Sequence, residues 1–203
     1  MNLFNIRLIG KGGFVKEILS DINKHIISNT FILSDLDGTL QKQINLNDDN
    51  IKYLNCIGNP FNREILYNNL KLNNFNDKNY IKNYISLKSI LLNESNIKIG
   101  LNSIICAGSI LTNNIIIGKY THINLNCTIG HDVKIGDFVT CSPGVNISGN
   151  CNIGNNVLIG SNTCIKENIT IGNNIIIGMG SVVTKNILDT GTYIGNPCKK
   201  MIK

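Results

Sequence analysis

The 203-residue chain has no tryptophan, only three prolines, and few aromatic residues, which make up 6% of its length. This scarcity argues against a fold built on large aromatic side chains, and it leaves room for a core of stacked aliphatic side chains. The chain is 42% hydrophobic and 16% charged, a composition that excludes an intrinsically disordered protein. The length suits one domain of ordinary size or two small ones.

Long hydrophobic runs are also missing. No apolar stretch approaches the roughly 18 residues that a membrane-spanning helix needs. The first residues do not show the basic, apolar and small-residue regions of a secretory signal peptide in that order. We therefore expect a cytoplasmic protein without a membrane span.

The seven cysteines contain no Cys-x-x-Cys pair, and arginine occurs only twice against 17 lysines. An odd number of cysteines without this motif, in a protein expected in a reducing compartment, predicts buried thiols rather than a disulfide scaffold. The formal net charge of +6 favours anionic partners. Nucleic acid is disfavoured, because the basic residues are scattered along the chain and arginine is scarce.

Isoleucine and asparagine are abundant, with 37 and 35 copies, and much of this excess is periodic. Every interval between successive Ile-Gly dipeptides from residue 99 to residue 177 is a multiple of six. Extending this frame from Ile99 to Val183 gives fifteen positions, of which fourteen are Ile, Leu or Val and the other is Cys141. The residue two places earlier in each repeat is always small or β-branched. A six-residue repeat therefore runs through the second half of the chain.

This period predicts a parallel β-helix. Apolar side chains two residues apart lie on one face of a short strand, and intervening Gly and Asn residues tolerate the left-handed backbone of tight corners. Corners are expected at the pairs Asn113-Asn114, Asn155-Asn156 and Asn173-Asn174. Three six-residue sides make a triangular coil of 18 residues, and successive coils stack about 4.8 Å apart. Five coils or slightly more are expected, with Cys127, Cys141 and Cys151 as core residues.

Residues 1–80 have the mixed pattern of an α/β domain. Strands are predicted at Asn5–Ile9, Thr30–Leu33 and Ile51–Ile57. A helix follows the glycine turn that contains Gly10, Gly12 and Gly13, and a second helix runs from Pro60 to about Leu70. A glycine turn between a strand and a helix favours a phosphate site, because the N–H groups of the helix N-terminus point at anions. Asp35, at the end of the second strand, would reach a ribose or base.

Several motifs together carry a family resemblance. They are the repeats, the step Gly130-His131-Asp132, the segment from Gly178 to Lys185, the segment from Gly195 to Lys199, and the N-terminal glycine turn with the Phe31–Asp35 strand end. The chain resembles the hexapeptide-repeat, left-handed β-helix acyltransferases. Within them it resembles the sugar acetyltransferases that include NeuD-type sialic acid O-acetyltransferases and nucleotide-amino-sugar N-acetyltransferases. This resemblance implies a Rossmann-like N-terminal domain at residues 1–80 that binds a nucleotide sugar, followed by a left-handed β-helix acyltransferase domain at residues 81–203.

The resemblance also implies a homotrimer in which acetyl-CoA, used as a co-substrate, and the sugar meet between neighbouring solenoids. His131 would be the general base, because a neutral imidazole can take a proton from the acceptor at pH 7, and Asp132 would orient it. Gly149 follows His131 by one full coil and lies above it, where its N–H would hold the thioester oxyanion. Asn124 matches a polar position of the acceptor site. No metal is expected.

Residues for coenzyme A follow from the same resemblance. The expected groove for pantetheine and phosphates is lined by Gly160, Ser161, Gly178, Gly180, Thr184, Lys185 and Lys199. Three positions depart from the family pattern: Phe14 and Thr140 stand where histidine is common, and Ser34 stands where an acidic residue is common. They bear on the sugar contact, the coenzyme contact and the identity of the nucleotide base, respectively.

The leading hypothesis is acetyl-CoA-dependent N-acetylation of a nucleotide-linked amino sugar destined for a bacterial surface glycan. O-acetylation of a sialic-acid-like sugar is the alternative within the same family. A non-catalytic β-helix scaffold is an alternative of a different class, which the intact Gly130-His131-Asp132 step disfavours. A γ-carbonic anhydrase needs three histidine ligands, and His25 is outside the repeats, so this alternative is disfavoured too.

Overall fold

A computed structural model describes residues 5–10, 12–22, 30–33 and 51–202. Its N-terminal part contains β1 (Asn5–Ile9), α1 (Gly13–Ile22), β2 (Thr30–Leu33), β3 (Ile51–Asn55) and α2 (Pro60–Leu72). The three strands form a parallel sheet in the order β2-β1-β3. The described residues thus include Gly10, Gly12 and Gly13 of the predicted glycine turn, between strand β1 and helix α1.

Two element boundaries differ from the sequence predictions. Strand β3 ends at Asn55, before the predicted end at Ile57, because the Asn55 side chain accepts a hydrogen bond from the Ile57 N–H at 3.1 Å and turns the chain. The Asn59 side chain then caps α2 by accepting from the Asn62 N–H. Helix α2 begins at Pro60 as predicted and continues beyond Leu70 to Leu72.

The second part of the chain is a parallel β-solenoid of about six turns. Two short 3-10 helices, at Asp77–Asn79 and Glu94–Asn96, lie before and within its first turn. The remaining strands, in chain order, are β4 (Asn83–Ile85), β5 (Ile90–Leu91), β6 (Ile97–Ile99), β7 (Ser103–Ile105), β8 (Ile110–Leu111), β9 (Ile115–Ile117), β10 (His122–Ile123), β11 (Thr128–Ile129), β12 (Lys134–Ile135), β13 (Thr140–Cys141), β14 (Asn146–Ile147), β15 (Asn152–Ile153), β16 (Leu158–Ile159), β17 (Cys164–Ile165), β18 (Thr170–Ile171), β19 (Ile175–Ile177), β20 (Val182–Val183), β21 (Gly191–Ile194) and β22 (Lys199–Lys200).

The solenoid has three faces, each a sheet of stacked strands. The first face runs β4-β7-β10-β13-β16-β19-β21 and ends with the antiparallel β22, the second runs β5-β8-β11-β14-β17-β20, and the third runs β6-β9-β12-β15-β18. Strands of one face pair in register one full turn apart, as His122 with Thr140 and Thr128 with Asn146 show. The six-residue period therefore predicted the triangular coil correctly.

The inward positions form the core. The fourteen frame positions from Ile105 to Val183 are all buried, and so are the positions two residues before each of them. Ile99, the first position of the frame, is only half-buried, because it lies near the open end of the stack. Cys127, Cys141 and Cys151 are buried in this core, which confirms their prediction as core residues.

Every corner of the solenoid from Asn102 to Gly180 uses one left-handed residue. Positive φ recurs every six residues over this range, at eight asparagines, three glycines, Tyr120, Asp132 and Phe138. Asparagine and glycine tolerate this conformation best, which explains the periodic asparagine. The second member of each of the three predicted Asn-Asn corners is in this set.

The N-terminal sheet and α1 pack against the outer side of the first face. One buried cluster joins Leu8, Val15 and Leu54 to Ile104 of β7, and a second joins Tyr53 to Tyr120 at a corner. The two parts of the chain therefore share apolar cores. No helix in the described part of the chain is long and apolar enough to cross a membrane.

Candidate active site

His131 and Asp132 lie at the corner between the second and third faces, after β11 and before β12. Asp132 is the left-handed residue of this corner, with φ of 60°. His131 Nδ1 is 2.7 Å from Asp132 Oδ2, and the carboxylate can only accept, so the shared proton is on Nδ1. Both side chains are exposed, and His131 Nε2 is left as a proton acceptor.

Asn114, at the same corner one turn below, donates to the other carboxylate oxygen of Asp132 at 2.5 Å. This hydrogen bond, followed by the one from His131, holds the pKa of Asp132 below its ordinary value. The carboxylate therefore remains ionised and keeps its orienting contact with the imidazole. The sequence predicted Asn114 as a corner residue but not as a partner of Asp132, although its spacing of one full turn places it in the same stack.

Gly149 is one turn above His131, and its backbone lies directly against the imidazole. A Cβ atom at Gly149 would be 2.6 Å from His131 Nε2 and 2.7 Å from Cε1, closer than real Cβ contacts allow. With the ring in this orientation, only glycine fits at position 149. The structure places the Gly149 backbone beside the free ring nitrogen, as the spacing of one full turn predicts.

The N–H of Gly149 has no acceptor among the described residues. At the corner between the third and first faces, the N–H groups of Lys119, Asp137 and Asn155 each donate to the side-chain oxygen of the residue one turn above. The Gly149 carbonyl, in contrast to its N–H, has a partner, because it accepts a hydrogen bond from the Asn168 N–H at 3.1 Å. The Gly149 N–H is therefore open to a ligand at the corner that carries His131.

A polar cavity of about 350 Å³ adjoins this corner on the outer side of the third face. Its wall includes the Asp132 carboxylate and side chains from three successive turns. Of the residues that line this cavity, the sequence predicted only Asp132 as a site residue, because the outward strand residues show no periodic signal. The lining residues are Asn114, Ile116, Asp132, Lys134, Asn150 and Asn152.

The residues expected to line the coenzyme groove are divided between two corners. Thr184 and Lys185 follow β20. Lys185 lies at the same corner as His131 but three turns above it, roughly 14 Å along the solenoid axis. Lys199 lies in the exposed β22. The others are at the corner between the first and second faces, namely Gly160, Ser161, Gly178 and Gly180. One copy of the chain does not bring the two groups together.

Asn124 also lies at the corner between the first and second faces, one solenoid side away from His131. It lines a cavity of about 270 Å³ between α1, the turn after β3 and the first face. We call this the Phe14 cavity, after the α1 residue whose ring lies 5.1 Å from that of His122. Its lining residues are Phe14, Gly58, Asn59, His122, Asn124, Thr140, Ser142 and Leu158.

The glycine turn is partly described. Gly10 has φ of 143°, and a Cβ atom there would be 2.8 Å from Val15 Cγ2 and 3.2 Å from the Cys56 carbonyl oxygen, so only glycine fits between β1 and β3. Gly12 and Gly13 have open space around them at the start of α1. Asp35, Ser34 and His25 lie outside the described residues.

Thr140 is buried below the Phe14 cavity. Its hydroxyl donates to the Gly58 carbonyl at 2.8 Å and accepts from Arg63 Nη2 at 2.9 Å. Thr140 thus joins the solenoid to the N-terminal part. Sequence-based reasoning missed Arg63, for which the only signal is that it is one of just two arginines in a lysine-rich chain.

Comparison with known proteins identifies the repeats and the fold. Residues 150–185 match the family model described as bacterial transferase hexapeptide (six repeats). Comparison with curated protein sequences gives no significant match. Residues 150–185 therefore carry this hexapeptide repeat, in agreement with the six-residue period of the sequence.

Solved structures similar to this chain cover almost all of it. WeeI from Acinetobacter baumannii AYE is 28% identical with a TM-score of 0.80, over 98% of this chain and 100% of that one. The acetyltransferase domain of PglB from Neisseria gonorrhoeae FA1090, in complex with acetyl coenzyme A, is 22% identical with a TM-score of 0.83, over 97% and 98%. A variant of perosamine N-acetyltransferase from Caulobacter crescentus, in complex with CoA and GDP-perosamine, is 19% identical with a TM-score of 0.81, over 99% and 98%.

Proposed function

We propose that this hexapeptide-repeat protein is an acetyl-CoA-dependent acetyltransferase that N-acetylates a nucleotide-linked amino sugar, a precursor of a bacterial surface glycan. The observation that carries the proposal is the arrangement of His131 between the Asp132 carboxylate and the Gly149 backbone. It combines a base with a free ring nitrogen, a group that fixes the proton on the other nitrogen, and an open N–H within one turn of the solenoid.

The proposed reaction uses each of these groups once. The neutral amine of the sugar attacks the thioester carbonyl of acetyl-CoA, and His131 Nε2 takes a proton from the amine as the C–N bond forms. The Gly149 N–H donates to the oxyanion that develops on the carbonyl oxygen. The C–S bond then breaks, which gives the amide and the thiolate of CoA, and the proton on Nε2 passes to the thiolate. Asp132 accepts from Nδ1–H throughout and stabilises the imidazolium.

The choice of acceptor rests on the N-terminal part. We propose that residues 1–80 form a Rossmann-like domain that binds the nucleotide sugar, with the diphosphate at Gly12, Gly13 and the start of α1 and with Asp35 near the ribose or base. The Phe14 cavity would hold the sugar, since it offers the carboxamides of Asn59 and Asn124 beside an aromatic face. The complex of the Caulobacter relative with GDP-perosamine supports this substrate class.

The separation of the two corners supports a site that is shared between copies of the chain. We propose a left-handed β-helix at residues 81–203 and a homotrimer in which the His131 corner of one copy faces the Asn124 corner of the next. Such a contact would bring the base, the sugar and both parts of the coenzyme groove together. Lys185, and Lys199 in the C-terminal strand, would attract the phosphates of coenzyme A, and the expected location is the cytoplasm.

The test is thiol release from acetyl-CoA over a panel of UDP-, dTDP- and GDP-linked amino sugars and free nonulosonic acids. The expected result is release with at least one nucleotide-linked amino sugar and a product that carries one new amide. Release with nonulosonic acids alone would point to O-acetylation instead. Absence of release with every acceptor of the panel would contradict the proposed activity.

A further inference from the structure

The Arg63 side chain is completely buried between the N-terminal part and the solenoid. Among the described residues, no carboxylate lies within ion-pair distance of it. Its hydrogen bonds go to neutral groups on both sides. On the solenoid side they reach the Tyr120 carbonyl at 2.7 Å, the Val139 carbonyl at 3.0 Å, the Thr140 hydroxyl at 2.9 Å and His122 Nδ1 at 3.2 Å. On the N-terminal side they reach the Ile57 and Gly58 carbonyls at 2.5 and 3.3 Å.

His122 completes this network as a neutral acceptor. Its Nε2 is 2.9 Å from the Asn55 carbonyl oxygen, which can only accept, so the proton is on Nε2. Nδ1 is then unprotonated and accepts from Arg63. Burial, together with the neighbouring guanidinium, lowers the pKa of His122 well below its ordinary value. The histidine therefore joins β3 to Arg63 without a second positive charge.

A buried cation without a counter-ion costs free energy. A well-packed apolar side chain of similar volume would cost less at the same place. What the guanidinium supplies is geometry, because its donors have a fixed planar arrangement that lysine lacks. Here that arrangement joins the turn after β3 to two strands of the first face, β10 and β13. These hydrogen bonds fix the N-terminal part against the solenoid at the Arg63 guanidinium.

The partners of Arg63 form the floor of the Phe14 cavity. Gly58, His122 and Thr140 bond to Arg63 and also line the cavity. One wall, with Asn59 and Phe14, belongs to the N-terminal part, whereas the opposite wall, with Asn124 and Ser142, belongs to the solenoid. A shift of the turn at Gly58 would therefore change the distance between the two walls.

We propose that Arg63 is a positioning residue for the acceptor: it sets the spacing of the two walls of the Phe14 cavity without touching the sugar. This inference rests on the proposed function, in which that cavity holds the acceptor. The inference predicts a specific kinetic effect, because the lining of this cavity includes neither His131 nor any residue expected in the coenzyme groove. Loss of the arginine geometry raises KM for the acceptor and leaves KM for acetyl-CoA unchanged.

The test compares R63K and R63M with K119M. Lys119 makes an exposed ion pair with Asp77 at 3.2 Å between the same two parts of the chain, away from the cavity, and serves as the matched control. In R63K and R63M we expect KM for the acceptor to rise about tenfold or more, because a misplacement of about 1 Å at a site can cost a factor of about 10². In K119M both KM values stay at the wild-type level.

A second measurement keeps the inference testable without activity. Hydrogen exchange of the amides from residue 55 to residue 62 is expected to accelerate in R63K relative to wild type, while the amides of turns four to six of the solenoid keep their rates. If R63M does not fold, R63K retains the charge and supplies both readouts. Equal KM values with a lowered kcat, or unchanged exchange in R63K, would overturn the inference. An inactive wild type would instead contradict the proposed function, with the exchange result still deciding the role of Arg63.

Discussion

His131 Nε2 and the backbone of Gly149 approach each other so closely that a methyl group on Gly149 would lie 2.6 Å from the ring nitrogen. The two residues are separated along the chain by one turn of the solenoid. This contact places the imidazole against the backbone of a residue whose N–H no described residue accepts. It is the relationship on which the proposed chemistry depends.

Replacement of Gly149 by alanine is expected to lower kcat about tenfold to a hundredfold, because the ring must move away from the new Cβ atom. The imidazole is exposed and can turn, so the fold should persist. Steady-state thiol release measures the effect, and S148A, an exposed neighbour at the same corner, is the control. Wild-type kcat in G149A would show that the contact has no catalytic role.

Replacement of His131 by alanine is expected to lower kcat/KM about 10²- to 10⁴-fold, the usual contribution of a general base. The side chain is 62% exposed, so the melting temperature should change little. Acetyl transfer and a thermal melt on the same preparation separate loss of catalysis from loss of folding. A variant with full activity would remove His131 from the mechanism.

The pH dependence of Asp132 has a definite sign. Its pKa is lowered by the hydrogen bond from Asn114 and then by the one from His131, so its contribution to stability and orientation is present above the ordinary aspartate pKa. That contribution is lost only as the pH falls through the lowered value.

Activity changes between pH 5 and pH 8 therefore do not report Asp132. In D132N we expect kcat to fall across this whole range, since an amide does not stabilise the imidazolium as a carboxylate does. The pH profile of kcat in both proteins is the measurement. A D132N profile equal to that of the wild type would contradict the orienting role.

Core and surface isoleucines should differ sharply in stability. Ile159 is fully buried in the solenoid, and its replacement by alanine is expected to cost about 2–5 kcal/mol of unfolding free energy. Ile65 is 59% exposed on α2, where alanine is expected to change stability by less than about 0.5 kcal/mol. Urea unfolding of the two variants provides the comparison, and equal losses would contradict the assigned core.

Thiol labelling should be selective. Burial raises the pKa of Cys127 to about 11 and that of Cys141 well above its ordinary value, whereas Cys164 is exposed on the second face. Because the thiolate is the reactive form, a disulfide reagent at pH 8 should modify Cys164 first. The fast phase should disappear in C164S. Rapid modification of Cys127 in the folded protein would contradict the described core.

Much of the fold was predictable because the solenoid is nearly one-dimensional. Each inward position repeats the same environment every six residues, so Ile123, Ile129 and Ile135 report their burial through spacing alone. The corner asparagines were predictable for the same reason. Tyr120 and Phe138 were not, because aromatic residues seldom adopt a left-handed backbone, and here they do so while stacked on each other at 5.1 Å.

The candidate site was predictable only in part. The length of one turn predicted that Gly149 would lie above His131, and the structure agrees. The same arithmetic did not separate the coenzyme residues into two corners, because the resemblance had supplied them as one groove. Outward residues such as Lys134 and Asn152 carry no periodic signal, so the cavity beside Asp132 emerged only from the structure.

The sequence by itself determined the solenoid, its corners and the stack of His131 under Gly149, because all three follow from a fixed period along one axis. Only the tertiary structure decided how the N-terminal part meets the first face, where the Phe14 cavity opens, and that Arg63 is buried between them. The physical reason is that these contacts join residues 57–77 positions apart. No local pattern or repeat relates such residues, and the buried guanidinium finds its acceptors only when both parts are in place.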